Sequence, residues 1–338
     1  DSAFASFSEA QRQSLKAALR QIPGKIADLC RKESCDLVLL SGDLFDGAAT
    51  RESIELVQQA LKSCCVPVFV SPGNHDFCAD GSPWLEESWP ENVKVFTGAL
   101  ESVALPELDC RVYGAGYKNM DCPALLEDFH AEGTEKYQIG VLHGDPTVSN
   151  SPYCPITAAQ VRNSGLDYLA LGHIHKAGSF RAGATLCAWP GCPMGRGWDE
   201  LGEKGAYIVT LEDTAELRPV VMDTLRFFEE ALDIGEDAAA ALESLLPAAG
   251  SDYFYRISLT GTGEVDVEKL KTQLGKWPNV ELRDLTETPV DLWEDAGSDS
   301  LRGVYFRMLQ ELSGENPNAV LAAEISRKLL EGRQVRLP

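Results

Sequence analysis

The sequence predicts an α/β protein with a main domain, a smaller α+β domain and two C-terminal helices. Three observations predict this class. Apolar, strand-like runs alternate with amphipathic, helix-like runs up to about residue 222; several strand-like runs are apolar throughout; and shorter mixed elements follow. Strands without polar alternation are typical of a sheet that is covered on both faces.

The main domain begins with a helical pattern over residues 8–33, which Pro23 and Gly24 interrupt, so we expect a kink or a break there. A second helix is predicted over residues 49–63. The strand-like runs cover residues 35–46, 66–76, 93–98, 109–116, 137–146 and 166–176. Four of them end in loops that contain Gly, Asp, Asn or His. Ligands bind at the carboxyl ends of the strands in sheets of this class.

Two further strands over residues 203–223 complete the main domain, and we place the domain boundary so that residues 1–222 and 223–338 form separate parts. The sequence of the second part predicts alternating strands and helices, followed by two helices at the C-terminus. The strands are expected at 226–234, 252–261 and 280–287, and the helices at 236–246, 266–274, 300–312 and 318–333.

Composition excludes some classes of function. The formal net charge of −22 argues against broad electrostatic adhesion to nucleic acid or to anionic membranes. No apolar run reaches the roughly 18 residues that a membrane helix needs. The ten cysteines contain no CxxC pair. We therefore expect reduced thiols and a cytoplasmic protein.

The loops at the strand ends collect potential metal ligands. They contribute Asp43, Asp46, Asn74, His75, Asp76, His143, His173 and His175, which include four of the five histidines. A lone Gly-Asp is more often a turn, and a lone histidine is more often structural, as we expect for His130. The combined set of oxygen and imidazole donors suits Mn, Fe or Zn, and the absence of thiolates argues against a structural zinc site. In extended backbone, the spacing of His173 and His175 directs both to one side.

The motifs GDLFD, PGNHD, LHG and GHIH, in this order, resemble those of the calcineurin-like metallophosphoesterases. Within that family the chain is most similar to the SbcD/YhaO-type DNA repair exonucleases, on the strength of residues 195–205 and the small α+β part. The resemblance implies a two-sheet metallophosphoesterase sandwich flanked by helices, with a smaller α+β capping domain and C-terminal helices. Residues 1–222 would then be the nuclease domain.

The resemblance also implies a site with two divalent ions, with Mn favoured over Fe or Zn. Asp43 would bridge the two ions. Asn74, His143 and His173 would complete one of them, and His175 would join the other. His75 would act on the leaving oxygen of the phosphate, with Asp46 or Asp76 orienting it. Arg196 is either a contact to the substrate or an ordinary surface arginine.

The family pattern starts with a DxH motif at the end of a first strand, and residues 1–338 contain none before GDLFD. We therefore expect the main domain to lack this strand and the second metal site to be incomplete. The explanation that we favour is an upstream extension of the natural chain; the alternative is a degenerate member that binds one ion or none. These residues alone should hold at most one well-occupied ion.

The resemblance implies DNA as substrate and an SbcC-like coiled-coil ATPase as partner, with no membrane association, and a homodimer stays open. The leading hypothesis is a subunit of a metal-dependent DNA exonuclease in DNA repair. Two alternatives remain at this point: a phosphodiesterase or phosphatase that acts on a small or protein substrate, and a catalytically silent scaffold.

Overall fold

The computed structural model describes residue 4 and residues 6–223, 225–234, 238–246, 253–263, 265–287 and 291–332. The predicted helices over 236–246 and 318–333 lie partly outside these ranges. The described chain forms two compact units. The first comprises Asp1–Glu230, Ala248–Arg256 and Lys276–Glu281, and the second Ala231–Pro247, Ile257–Gly275 and Leu282–Pro338. The boundary at residues 222 and 223 stays a prediction.

The elements of the first 222 residues follow the predicted order with additions. The helices are α1 (Glu9–Lys32), α2 (Arg51–Ser63), α3 (Pro83–Glu86) and α4 (Ala158–Asn163). The strands are β1 (Val38–Leu40), β2 (Val68–Val70), β3 (Val93–Val95), β4 (Glu101–Leu105), β5 (Cys110–Gly114), β6 (Tyr137–His143), β7 (Tyr168–Gly172), β8 (Gly178–Ala182), β9 (Thr185–Trp189), β10 (Gly205–Leu211) and β11 (Ala215–Val221). Helix α1 continues through Pro23, so a break at that residue is the wrong expectation.

The remaining elements are β12 (Phe227–Asp233), α5 (Ala238–Leu245), β13 (Phe254–Thr260), α6 (Val267–Gln273), β14 (Val280–Asp284), α7 (Leu301–Ser313) and α8 (Asn318–Leu330). Strands β12, β13 and β14 form one sheet in that order. In the second unit, Phe306 of α7 and Ala323 of α8 pack together in a small core. The predicted α+β elements and the two C-terminal helices are therefore present.

Two sheets of the first unit pack face to face. One is the parallel sheet β1-β2-β3, and the other has the order β4-β5-β6-β7-β9-β8, in which β5, β6, β7 and β9 are parallel neighbours. Phe69 from the first sheet and Val112, Ile139 and Ala170 from the second share one buried core. The neighbouring residues of each strand point to the outer face of its sheet, because side chains alternate between the two faces of a strand.

Helices and loops cover the outer faces of both sheets. Val68 and Val70 pack with Ile54, Val57 and Leu61 of α2 in a core that also contains residues of α1. On the other side, Leu142, Leu169 and Leu171 pack with Val161 of α4. The main domain is thus a two-sheet α/β sandwich flanked by helices, as the resemblance of its motifs implies.

A cavity of about 1020 Å³ borders the edge of β1. Its lining includes Leu37–Ser41, parts of α1 and β7, and the strand β10. Among the described residues no strand pairs with β1 on that side. The residues of β1 are consequently half-buried, where the sequence predicts a fully buried strand. The expectation that a further strand belongs to this sheet stays a prediction.

Candidate metal centre

The predicted ligands lie at the carboxyl ends of parallel strands. Asp43 follows β1, Asn74 and His75 follow β2, His143 is the last residue of β6, and His173 follows β7. Because β1 pairs in parallel with β2, and β6 with β7, each pair of loops emerges at the same edge of its sheet.

Asp76 holds the first two loops together. Its carboxylate is buried and accepts backbone N–H groups from Gly73 at 2.8 Å and from Asp43 at 3.1 Å on one oxygen, and from Leu44 at 2.9 Å on the other. Burial raises the pKa of Asp76, as does the nearby charge of Asp43, while these backbone hydrogen bonds oppose the rise. Asp76 therefore shapes the backbone of the site and does not contact the His75 side chain through any of these bonds.

Four side chains converge beyond these loops. The Asn74 Oδ1 atom lies 2.8 Å from His143 Nε2 and 3.2 Å from His173 Nδ1. The Asp43 Oδ2 atom lies 3.3 Å from the same His143 Nε2. Asp43 and His173 both have positive φ angles, 54° and 86°. Strained backbone of this kind costs on the order of 1–3 kcal/mol per residue and is concentrated at functional sites.

The orientation of His143 leaves a lone pair at the centre of this group. Its Nδ1–H donates to the Ser41 carbonyl at 2.8 Å, so Nε2 carries no proton in the neutral ring. Burial lowers the pKa of His143 to about 4, against the effect of that hydrogen bond, and the ring is neutral at pH 7. The Nε2 lone pair therefore faces two oxygen acceptors, the Asn74 amide and the Asp43 carboxylate.

Such an arrangement of acceptors fits a divalent cation. Metal–ligand bonds of about 2.1 Å at right angles separate neighbouring donor atoms by about 3 Å. The observed separations of 2.8–3.3 Å lie around that value. In the part of the chain that the structure describes, no three His, Cys, Asp or Glu side chains are gathered closely enough to hold a metal by themselves. The Asn74 oxygen is the atom that joins the two imidazoles.

Glycines make room for the group. A β-carbon on Gly73 would overlap both the Asp43 carboxylate and the His143 ring. One on Gly172 would overlap the Ser41 carbonyl and lie 2.8 Å from His143 Nδ1. The glycines that the sequence shows beside each ligand thus permit close approach of backbone to side chain.

His75, Asp46 and Arg196 form a second group. His75 Nδ1 lies 3.0 Å from Asp46 Oδ1, and the His75 backbone N–H donates to Asp43 Oδ1 at 2.9 Å. The Arg196 guanidinium lies 3.9 Å from the other Asp46 oxygen. Of the two carboxylates considered as partners of the His75 ring, the structure places Asp46 in contact with it. The Arg196 side chain is half-buried, and its contact with the substrate stays a prediction.

His175 contacts a residue that sequence reasoning missed. Its Nδ1 atom lies 2.7 Å from Oε1 of Glu200, whose side chain is buried. Burial would raise the pKa of Glu200, but the hydrogen bond with His175 and the charge of Arg196 lower it to about 2. Glu200 is an acidic residue in a strongly acidic sequence, and its position in the stretch that carries the family resemblance is the one signal that could have marked it.

Two tyrosines, also missed, pack on the ligand rings. The Tyr153 ring lies 4.7 Å from that of His173, and the Tyr117 ring lies edge-on to His143 at 5.3 Å. The cavity beside β1 is lined by Asp43, Asp46, His75, His173, His175 and Arg196. These six predicted residues thus line one cleft, and Asn74 and His143 adjoin it through their contacts with His173 and Asp43. His130 lies elsewhere, hydrogen-bonded to the Asn163 carbonyl.

The chain is similar in sequence to known proteins. The chain is 36% identical to the uncharacterized metallophosphoesterase YhaO of Bacillus subtilis (strain 168) over 198 residues, which are 54% of this chain and 47% of YhaO. It is 28% identical to the 3',5'-cyclic adenosine monophosphate phosphodiesterase CpdA of Haemophilus influenzae over 154 residues, 42% of this chain and 55% of CpdA. The chain spans about half the length of these curated relatives.

A structural comparison found the protein TT1561 of Thermus thermophilus, with 15% identity over 52% of this chain and 84% of that chain. Its TM-score of 0.34 adds nothing to the assignment. The family model described as calcineurin-like phosphoesterase matches residues 8–177, which are half of the chain. This range includes Asp43, Asn74, His143 and His173. Members of this family bind divalent metals, and the chain belongs to the calcineurin-like phosphoesterase family.

Proposed function

We propose that this protein hydrolyses phosphodiester bonds in DNA, as the exonuclease subunit of a DNA repair complex. A divalent metal ion would bind at the group formed by Asp43, Asn74, His143 and His173, which we call the Asn74 centre. The observation that carries the hydrolytic part is the meeting of the His143 lone pair with the Asn74 and Asp43 oxygens, which a cation would stabilise. DNA as the substrate rests on the sequence resemblance to the SbcD/YhaO-type exonucleases.

In this proposal Asp43, Asn74, His143 and His173 would hold one ion, and Asp43 and His175 would contribute to a second. A bound divalent ion neutralises the charge of a phosphate and makes water a stronger nucleophile at neutral pH. Mn is the ion that we favour, since the donors are oxygen and nitrogen without thiolate. One well-occupied ion per chain is expected, because four donors converge at the Asn74 centre.

The residues of the chain then handle the leaving group. His75 Nδ1–H donates to Asp46, and the Nε2–H of the doubly protonated ring would give its proton to the departing oxygen. Arg196, beside Asp46, supplies a local positive charge for the phosphate. A local charge matters here because the net charge of −22 repels polyanions at long range.

The test compares substrates with the purified protein, stripped with EDTA and reloaded with Mn. Hydrolysis of bis-p-nitrophenyl phosphate, single-stranded DNA and duplex DNA is expected, and His75→Ala should lower it about 10²- to 10⁴-fold. Metal analysis accompanies the assay. Equal activity in the variant would assign the hydrolysis to a contaminant and reject the site.

A second candidate substrate is a small phosphodiester. The similarity to CpdA, a cyclic AMP phosphodiesterase by name, favours it. Cyclic AMP therefore joins the substrates in the same assay. Turnover of cyclic AMP and bis-p-nitrophenyl phosphate without turnover of either DNA would select this alternative.

We also propose a protein partner for the C-terminal helices, an SbcC-like coiled-coil ATPase. Leu301, Val304, Tyr305, Met308 and Leu312 of α7 are exposed, Leu301 by 88%, although they repeat at helical spacing along one side of the helix. An exposed apolar stripe of this kind suits a helical partner. Such a partner would supply positive surface to offset the net charge of −22.

Substitution of Met308 by Glu should abolish co-purification with that ATPase, and Glu311→Gln on the same helix is the control. Tight binding of duplex DNA by the isolated chain at physiological salt would remove the reason for a partner.

Among the described helices, none combines the length and apolar character that crossing a bilayer requires. The free thiols of all ten cysteines support a cytoplasmic location.

A further inference from the structure

Glu200 is a buried carboxylate whose two oxygens are both occupied by groups of the candidate site. Its Oε1 atom lies 2.7 Å from His175 Nδ1 and 3.2 Å from an Arg196 guanidinium nitrogen. Its Oε2 atom accepts the Arg196 backbone N–H at 2.8 Å. Only 4% of Glu200 is exposed. A buried carboxylate is costly unless it is paired in this way, so its contacts constrain the groups around it.

The contact with His175 determines which ring nitrogen is available. A carboxylate accepts hydrogen bonds, so His175 Nδ1 carries the proton and donates it to Glu200. The Nε2 atom is then unprotonated, the form in which imidazole binds a metal. The His175 ring is itself 45% exposed, whereas its backbone carbonyl accepts the Cys192 N–H at 3.2 Å. Glu200 is thus the contact that restricts the ring.

The contact with Glu200 places the Arg196 guanidinium near Asp46, on the side of the cleft where His75 lies. Glu200 accepts hydrogen bonds from both the backbone N–H and the guanidinium of Arg196. These bonds restrict the loop from residue 196 to residue 200. From that position the guanidinium reaches Asp46, and Asp46 holds His75. The buried carboxylate therefore connects residues on both sides of the cleft.

We propose that Glu200 is a positioning residue that keeps His175 in the Nδ1–H tautomer for metal binding and holds Arg196 toward the substrate. This role rests on the proposed function only for its catalytic consequence; the tautomer of His175 does not depend on it. In metalloproteins, loss of a carboxylate behind a metal-bound histidine lowers metal affinity or activity about 10- to 100-fold.

The test uses Glu200→Gln, which keeps the shape and removes the charge. Glu135→Gln is the matched control, because Glu135 is a shielded carboxylate paired with Arg111 at 2.8 Å away from the cleft. Nitrogen-15 NMR of the metal-free proteins reports the tautomer of each histidine. Wild type and Glu135→Gln should show His175 as Nδ1–H, and Glu200→Gln should shift it toward Nε2–H. The His143 signal should stay unchanged in all three and thus report that the fold is intact.

The metal and kinetic readouts follow. In Glu200→Gln, the Mn concentration for half-maximal hydrolysis and the KM should each rise about 10-fold or more relative to Glu135→Gln. An unchanged His175 tautomer, or equal changes in both variants, would overturn the proposal. If the wild type hydrolysed no phosphodiester, the proposed function would fail, while the NMR comparison would still decide the role of Glu200.

Discussion

His173 and His175 are two residues apart in one motif, yet the structure gives them different surroundings. His173 is half-buried, has a φ angle of 86°, and lies between Asn74 and the Tyr153 ring. His175 is largely exposed and is held by Glu200. The first is fixed by backbone and packing, and the second by a single hydrogen bond. The difference teaches that one motif can combine a rigid ligand with an adjustable one.

The comparison also corrects the reasoning from spacing. The prediction that both histidines face one cleft assumed extended backbone. Strand β7 ends at Gly172, and the positive φ of His173 is not extended. Both residues nevertheless line the same cavity. The turn, and not the two-residue period of a strand, brings them there.

The largest expected effect separates the two histidines directly. His173→Ala removes a donor from the Asn74 centre, so bound Mn and hydrolysis should both fall by more than about 100-fold, beyond the 10–100-fold typical of an outer partner. His175→Ala should retain the bound ion and lose activity alone. Metal analysis after gel filtration, together with the hydrolysis assay, makes the distinction. Loss of the ion in both variants would show that the two positions form one site.

The next effect is the dependence of the free energy of unfolding on pH, which we expect from the buried His143. Burial lowers the pKa of His143 from 6.5 to about 4 in the folded chain, so the unfolded chain takes up the proton first as pH falls. This contribution to stability is complete above pH 6.5 and is lost as the pH falls toward 4. Its size is about 3 kcal/mol.

Denaturant titrations in EDTA at several pH values measure that contribution. The free energy of unfolding of the wild type should fall more steeply between pH 6.5 and 4 than that of His143→Asn. Parallel slopes in the two proteins would contradict the neutral, buried state of His143.

Gly73→Ala tests the close approach at the Asn74 centre. The added methyl group overlaps Asp43 and His143, so the backbone must shift and unfolding should become easier by about 1–3 kcal/mol. The Mn concentration for half-saturation should rise as well. Gly81→Ala is a less suitable control because of its positive φ; Gly24→Ala, with open space around its β-carbon, is the appropriate one.

The smallest effect is expected at His130, the histidine outside the cleft. It is exposed and donates one hydrogen bond to the Asn163 carbonyl. His130→Ala should change the free energy of unfolding by about 0.5 kcal/mol and leave metal binding unchanged. A loss of Mn in this variant would undermine the separation between structural and ligand histidines.

Much of the fold follows from local pattern. Strands β2, β5, β6 and β7 are mostly apolar, and the sequence predicts them because strands buried on both faces have few polar positions. Strands β4, β8 and β9 were missed. The sequence of β8, GSFRA, has a buried–exposed alternation too short to separate from a loop. Backbone hydrogen bonds to β9 stabilise β8, and the residue pattern of β8 alone does not reveal this pairing.

The sequence by itself determined where apolar strands end and that Asp, Asn and His follow them, because burial dictates residue type along each strand. Only the tertiary structure decided which atoms meet. It turned the His143 Nε2 toward Asn74, gave the His75 ring to Asp46, and placed Glu200 behind His175. Hydrogen bonds between distant segments depend on backbone direction and distance in three dimensions, which no pattern of residue types along one segment contains.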